Sequence, residues 1–164
     1  FMLKWIEELL DDPEFEDGII LDGFPRTIPQ AEALDDLLEK KGLVVDLVLL
    51  LNIEEEAAAN RLLTRVSCTK CGAIHNLAQK PMKVDGICDA CGGELDTRAD
   101  DVRETIEKRF DTFRKDTQPM IDYYRHRGNF WTVNTDRPVE VVEKDVRDVV
   151  DAAMERESAR KSAG

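Results

Sequence analysis

The amino-acid sequence predicts an α/β fold, a parallel sheet with flanking helices that carries a small inserted β module. Three observations predict it. Residues 43–53 form an almost unbroken aliphatic run, interrupted only by Asp46 and Asn52. Its length and β-branching suit a central parallel strand buried on both faces. Shorter apolar runs at 19–21 and 129–135 alternate with stretches of helical period through short connections, the order of an α/β layer fold. Between them, Cys68-Thr-Lys-Cys71 and Cys88-Asp-Ala-Cys91 mark a segment built on another plan. The chain thus divides into a core segment at 1–65, an insert at 66–101 and a second core segment at 102–164.

With 164 residues the chain is long enough for one domain with its own core and a small insert. No apolar run reaches membrane-spanning length, and no charged-then-apolar leader opens the sequence, so the expectation is a soluble, unsecreted, cytoplasmic protein without membrane partners. The formal charge of −12 argues against broad contact with nucleic-acid phosphates, which needs a basic face. The few aromatic residues make no stacking platform for bases. The acidity itself reads as solubility. A small phosphate ligand stays compatible with it if a few arginines converge locally.

In chain order, Met2, Trp5, Ile6, Leu9 and Leu10 recur at helical spacing, and Asp11, Asp12 and Pro13 stop that helix. A helix beginning at the second residue looks cut from something longer. Ile19, Ile20 and Leu21 then read as a buried parallel strand. Its carboxyl end would deliver Asp22, Gly23, Phe24, Pro25 and Arg26 to the sheet edge where such folds place ligands. Glycine permits close backbone approach, and arginine can fork onto a phosphate. Thr27 and Gln30 fit a capping box for the helix that runs to Lys41 and ends at Gly42. Gln30 has two readings, a backbone cap or a ligand contact. After the long aliphatic run, Asn52 with Glu55 offers a helix start. On that helix Arg61 and Arg65 stand at i, i+4 on one face, either solvated or turned to a cleft.

The insert is dominated by its cysteines. Two Cys-x-x-Cys knuckles separated by 16 residues make a tetrahedral site from Cys68, Cys71, Cys88 and Cys91, the arrangement zinc prefers. Four cysteine ligands leave no open position, so the expected zinc is structural. Gly72, Gly92 and Gly93 follow the second cysteines, where knuckles turn tightly. So few large apolar residues could not hold this stretch folded without a cross-link. Its acids (Asp85, Asp89, Glu94, Asp96, Asp100, Asp101) make it a poor polyanion reader.

Beyond it, Val102, Ile106, Phe110 and Phe113 define a helical core stripe. Arg109 falls on its flank and needs either an anionic ligand or an internal salt bridge. Thr117, Gln118 and Pro119 interrupt the helix, which resumes through Ile121, Tyr123 and Tyr124 to Gly128. Arg137 and Pro138 open the last helix, whose core face is Val139, Val142, Val146, Val149, Val150 and Ala153. After Arg156 the polar tail is expected to fray. No internal repeat is present.

The string Asp22-Gly-Phe-Pro-Arg-Thr27 closely resembles the signature of adenylate kinases, a P-loop-kinase-like family. The insert resembles that family's zinc-bearing lid, down to Pro81, Gly86, Gly92, Gly93 and Leu95. Arg98, Asp100 and Asp101 close it in the same pattern. The resemblance implies reversible phosphoryl transfer from ATP to AMP, giving ADP. By that resemblance Asp22 orients Mg²⁺ through water, Arg26 holds the AMP phosphate, Gly23, Phe24 and Pro25 are nucleotide-binding positions, and Gln30 contacts the AMP base. Arg61 and Arg65 serve the ATP side, and Arg98 and Arg109 the transferring group. Ile74 and His75 fall near the adenine of ATP, where family members usually carry an aromatic in place of His75. Arg137 matches a basic position near that base. A cis Phe24–Pro25 bond is also implied, as is a monomer if the protein is complete.

The phosphate loop G-x-x-x-x-G-K-S/T appears nowhere in these residues, and the resemblance begins about a third of the way into a family member. The isolated chain is therefore expected to be inactive. Three readings follow: an adenylate kinase whose N-terminal third is missing or supplied by a complementing fragment, a non-catalytic nucleotide-binding remnant, and a zinc-ribbon interaction module.

Overall fold

The helix α2 (Ile28–Lys40) starts where the sequence places its cap: the Thr27 hydroxyl accepts the Gln30 N–H at 3.4 Å. One stripe of it, Ala31, Leu34 and Leu38, is buried, as the 3.6-residue period requires of a helix laid on a core. The computed structural model that shows this describes residues 1–15 and 17–162, with Glu157 and residues 160–162 described by backbone alone. The chain forms two compact units, Phe1–Leu51 with Phe113–Gly164, and Asn52–Thr112.

In the first unit, β1 (Val48–Asn52) and β5 (Phe130–Asn134) pair as the parallel sheet. Around it lie α1 (Met2–Leu10), α2, α5 (Gln118–Arg125) and α6 (Val139–Ser162). Two apolar clusters share α2. Ala31 packs with Met120, Ile121 and Tyr124 of α5 against Val45, Val48, Leu50 and Phe130. Leu34 and Leu38 pack with Ile6 of α1 against Ile19, Leu21, Phe24 and Val45. A polar knot also ties α2 to α5. Asp35 accepts from the Tyr123 hydroxyl at 2.8 Å and from Tyr124 at 3.3 Å, and pairs with Arg127 at 2.6 Å. Arg127 lies over the Tyr123 ring at 4.2 Å. Burial and the Asp35 carboxylate push both phenols up from their ordinary range, so they donate at every physiological pH.

Several expectations change here. Residues 19–21 enter no ladder: Ile19 and Leu21 pack inward while Ile20 is 95% exposed. They form a one-sided extended segment, because a strand needs a hydrogen-bonded neighbour and the described residues give it none. The aliphatic run is strand only over Val48–Asn52, where β5 offers partners. Just before it, the Asn129 side-chain amide donates to the Val45 carbonyl and the Val48 N–H to the Asn129 carbonyl. Nor is β1 buried on both faces, since Leu51 is half exposed. On α6, Val142, Val146, Val149 and Val150 are half-buried and Ala153 buried, but Val139 at the first turn is exposed. That helix also continues past Arg156 to Ser162 instead of fraying; residues 163–164 lie outside the described residues.

The second unit holds α3 (Glu55–Leu63), β2 (Arg65–Cys68), β3 (Ile74–Asn76), β4 (Leu95–Asp96) and α4 (Arg103–Thr112). The strands form an antiparallel sheet in the order β3-β2-β4, with Val66 opposite His75 and Cys68 opposite Leu95. Ala59 of α3 and Ile106 of α4 are buried. Asn52 ends β1 and does not cap α3; Glu54 takes the N-cap position without a side-chain bond. Of the predicted stripe on α4, Ile106 is fully buried and Phe110 partly so, whereas Val102 and Phe113 are exposed. The stripe is short because α4 gives way at Phe113 to a wider π-helical turn, Phe113–Thr117, which shifts the helical phase before α5.

Replacing Asp35 with Ala removes the shared acceptor and leaves one buried phenol, one half-buried phenol and a guanidinium short of a partner. The expected loss is about 1–3 kcal/mol. Both tryptophans belong to the first unit, so urea denaturation followed by tryptophan fluorescence measures it there.

Candidate functional site

The turn before α2 is built around one cation. The Arg26 guanidinium folds back so that Nε donates to the Gly23 carbonyl at 2.7 Å, and the Arg26 N–H donates to Gln30 Oε1 at 2.8 Å. Gly23 has a positive φ of 70°, and a Cβ there would come within 2.9 Å of Arg26 Nη2, so only glycine allows the arginine this pose. Gln30 acts as the reciprocal arm of the capping box, displaced by one residue: it reaches Arg26 and not Thr27 itself. The Phe24–Pro25 bond is cis. Asp22 and the Arg26 head are exposed, while Phe24 and Pro25 are half-buried beneath them. A guanidinium beside the first turn of a 13-residue helix is a setting for an anion, since the helix N-terminus presents unpaired N–H groups and partial positive charge.

The second unit gathers arginines on one carboxylate. Arg65 is not on α3, as its spacing from Arg61 suggested; α3 ends at Leu63 and Arg65 opens β2. From there it forks onto Asp101, Nε to Oδ2 at 2.8 Å and Nη2 to Oδ1 at 2.6 Å. The Asp101 side chain is 1% exposed. The Arg65 hydrogen bonds hold its carboxyl below the usual carboxylate range against the cost of burial, and the charges of Arg65, Arg109 and Arg98 add to that. Arg109 pairs with Asp100 and lies 3.9 Å from Asp101, so of its two sequence readings the structure displays the internal salt bridge. Arg98 is exposed, its carbonyl accepting the Asp101 N–H at 3.0 Å. Arg61 is half-buried, and its carbonyl accepts from Asn76 at 2.8 Å. Arg65, Arg98 and Arg109 thus share one buried acid. Arg26 belongs to the other unit, as does Arg137, which pairs with Asp145 and donates to the Asn134 carbonyl.

The four cysteine sulfurs lie within 4.8 Å of one another, Cys68 and Cys88 buried, Cys91 partly so and Cys71 exposed. The glycines make this possible. A Cβ on Gly93 would sit 2.7 Å from Lys70 Cβ and 2.9 Å from Cys68 Sγ. Cys68 and Cys91 are shifted in opposite directions. The Cys71 backbone N–H, then that of Lys70, favours the Cys68 thiolate and brings its pKa down to about 6 against desolvation. Cys91 is pushed up to about 12: the Gly93 N–H favours its thiolate, but the neighbouring thiols and burial outweigh it. One negative charge in the cluster thus raises the cost of the next, and four thiolates this close need a cation among them. The cluster can hold a metal ion. Ile74 is exposed, whereas His75 turns its ring to Cys88, Nε2 3.3 Å from Sγ.

Comparison with known proteins agrees with this geometry. The family model described as adenylate kinase matches residues 1–129. The chain belongs to the adenylate kinase family. An adenylate kinase of Archaeoglobus fulgidus is 40% identical over 146 residues, 89% of this chain and 67% of that protein. One of Bacillus subtilis is 41% identical over 145 residues, 88% and 67%, and one of Methanosarcina acetivorans 39% over 145, again 88% and 67%. The chain thus spans about two thirds of the length of these nucleoside monophosphate kinases. Among the described residues no helix is long and apolar enough to cross a membrane.

Two features escaped the sequence reading of this adenylate kinase family member. Asp101 is marked in the sequence only as an acid closing the insert in the family's lid pattern; that it holds Arg65 is not foreseen there. The inward turn of His75 had no signal beyond its nearness to Cys71.

Because Asp101 is ionised and buried, Asp101→Asn leaves Arg65 without its counter-charge, at an expected cost of about 3–5 kcal/mol. The folded carboxyl titrates below its unfolded value of about 3.9, so its contribution is present above that pH and is lost as pH falls through the lowered folded value. Urea denaturation by circular dichroism should therefore give a parent-to-variant gap that stays flat from pH 8 to about pH 5.

Proposed function

We propose that these residues supply the AMP-side turn and the lid-side arginines for reversible phosphoryl transfer, ATP plus AMP giving two ADP. The observation that carries this reading is the Gly23–Arg26 turn. A guanidinium is fixed there by a carbonyl and a glutamine at a helix start, its outer N–H groups left facing solvent, within the string that marks the family. Phosphoryl transfer places its charge on the equatorial oxygens, so positioning and electrostatic clamping dominate. Arg26 would take the AMP phosphate. Gly23, Phe24 and Pro25 form its seat, and Gln30, whose Oε1 is engaged in the cap, would reach the base by its amide nitrogen. Arg65, Arg98 and Arg109 would meet ATP phosphates and the transferring group, with Arg61, Ile74 and Arg137 on the ATP side. Asp22 would hold the water shell of magnesium, which supplies charge neutralisation on the phosphates when it arrives with ATP.

We assign zinc to the four cysteines. Tetrahedral zinc–sulfur bonds of about 2.3 Å set sulfurs about 3.8 Å apart. The Cys68–Cys91 and Cys71–Cys88 separations of 3.4 and 3.9 Å lie on either side of that value. Its role is structural, cross-linking the insert at 66–101. The reaction also needs a glycine-rich phosphate loop with its lysine, from a longer chain or a second one.

Two measurements test this. The 164 residues alone, given ATP, AMP and magnesium, should bind nucleotide and form no ADP at ordinary kinase rates; full turnover would overturn the division of labour. Arg26→Ala should weaken AMP binding about 10–100-fold by calorimetry, the worth of a hydrogen bond between charged groups. Unchanged AMP binding would instead favour an interaction module. Chelating the metal should lower the melting temperature without bearing on the chemistry.

A further inference from the structure

His75 sits on β3 directly opposite Val66, and Cys68 lies two residues beyond Val66 on β2. Directly opposed residues share a sheet face, and so do residues two apart in a strand. His75, Val66 and Cys68 therefore project from the same side, toward the cysteine cluster. The imidazole reaches into it: Nε2 is 3.3 Å from Cys88 Sγ. Cys88 is 1% exposed. Among the described residues, the other polar neighbours of that sulfur are cysteine thiols, Cys71 at 3.9 Å and Cys91. Cys68 and Cys91 are served by the main chain, Cys68 by the Lys70 N–H at 3.4 Å and Cys91 by the Gly93 N–H.

A divalent ion bound by four thiolates leaves two net negative charges on the sulfurs. Such charge, when buried, must be met by hydrogen-bond donors. We infer that His75 is a positioning residue of the metal centre: its Nε2–H donates to the Cys88 thiolate, shares that sulfur's charge and fixes its direction. The inference rests on the reading that the four cysteines hold a metal ion. It gives the departure at His75 a use. The position where family members usually present an aromatic to the nucleotide is turned inward, to the metal.

The test is zinc competition against a chromophoric chelator, using the whole 164-residue chain. The parent should take up one zinc. His75→Phe should hold it about 10–100-fold less tightly, the usual cost of losing a partner of a metal ligand. His75→Gln, which keeps an N–H donor, should stay near the parent. Equal affinity for the parent and His75→Phe would overturn the proposal. Failure of the parent to take up zinc would overturn it together with the four-cysteine reading, and that uptake is read first. Cobalt-loaded parent and His75→Phe should show the same four-thiolate absorption; a change in the ligand bands would make His75 a ligand and overturn the positioning role. Nitrogen-resolved NMR of zinc-loaded parent needs no variant. A proton on Nε2 is expected, and an imidazole protonated on Nδ1 alone would overturn the proposal.

Discussion

The buried stripe of α2 is the constraint on which the first unit depends. Ala31 belongs to one apolar cluster and Leu34 and Leu38 to the other, so α2 is where the sheet side and the α1 side of the unit meet. Asp35, on the same helix, adds the polar tie to Tyr123, Tyr124 and Arg127. The site turn is a consequence of this anchoring. Phe24 packs beneath α1 and α2, Thr27 caps the helix, and Gln30 reaches back to Arg26. A cation is held at a helix start because the helix behind it cannot move without opening both clusters.

The second unit solves a different problem with different means. Between Cys68 and Cys91 there are few large apolar side chains to bury, and the insert is held by short antiparallel strands and by the crowding of four sulfurs. Their proximity is unfavourable once they ionise and becomes favourable around a cation, so the same geometry that costs stability without metal supplies it with metal. Asp101 plays the matching part for positive charge. It is a buried acid made tolerable by Arg65, and it sets the direction of a guanidinium that would otherwise be free to swing. In both places a charge is kept in the protein only because an opposite one is fixed beside it.

Much of this was legible in residues. The capping box at Thr27 and Gln30, the stop at Gly42, the strand near Phe130 and the cysteine spacing each rest on local chemistry: one side chain, one turn, one fixed offset. What misled was periodicity read without its partners. Arg61 and Arg65 share helical spacing, yet α3 ends between them. Val102 and Phe113 continue an apolar stripe that the π-helical turn breaks. Ile20 stands in an aliphatic run and is still exposed, because alternation in an extended segment turns it away from the one layer that covers it.

The sequence by itself determined the family-marking turn, the four-cysteine cluster and the elements that carry them, because those depend on residue type at short range. The tertiary structure alone decided which acid holds which arginine and which way His75 faces. Asp101 finds Arg65 across 36 positions, and His75 finds Cys88 across 13. Such pairings are set by strand register and helix ends, which no local pattern encodes. They are also what turns a list of charged side chains into groups with fixed directions.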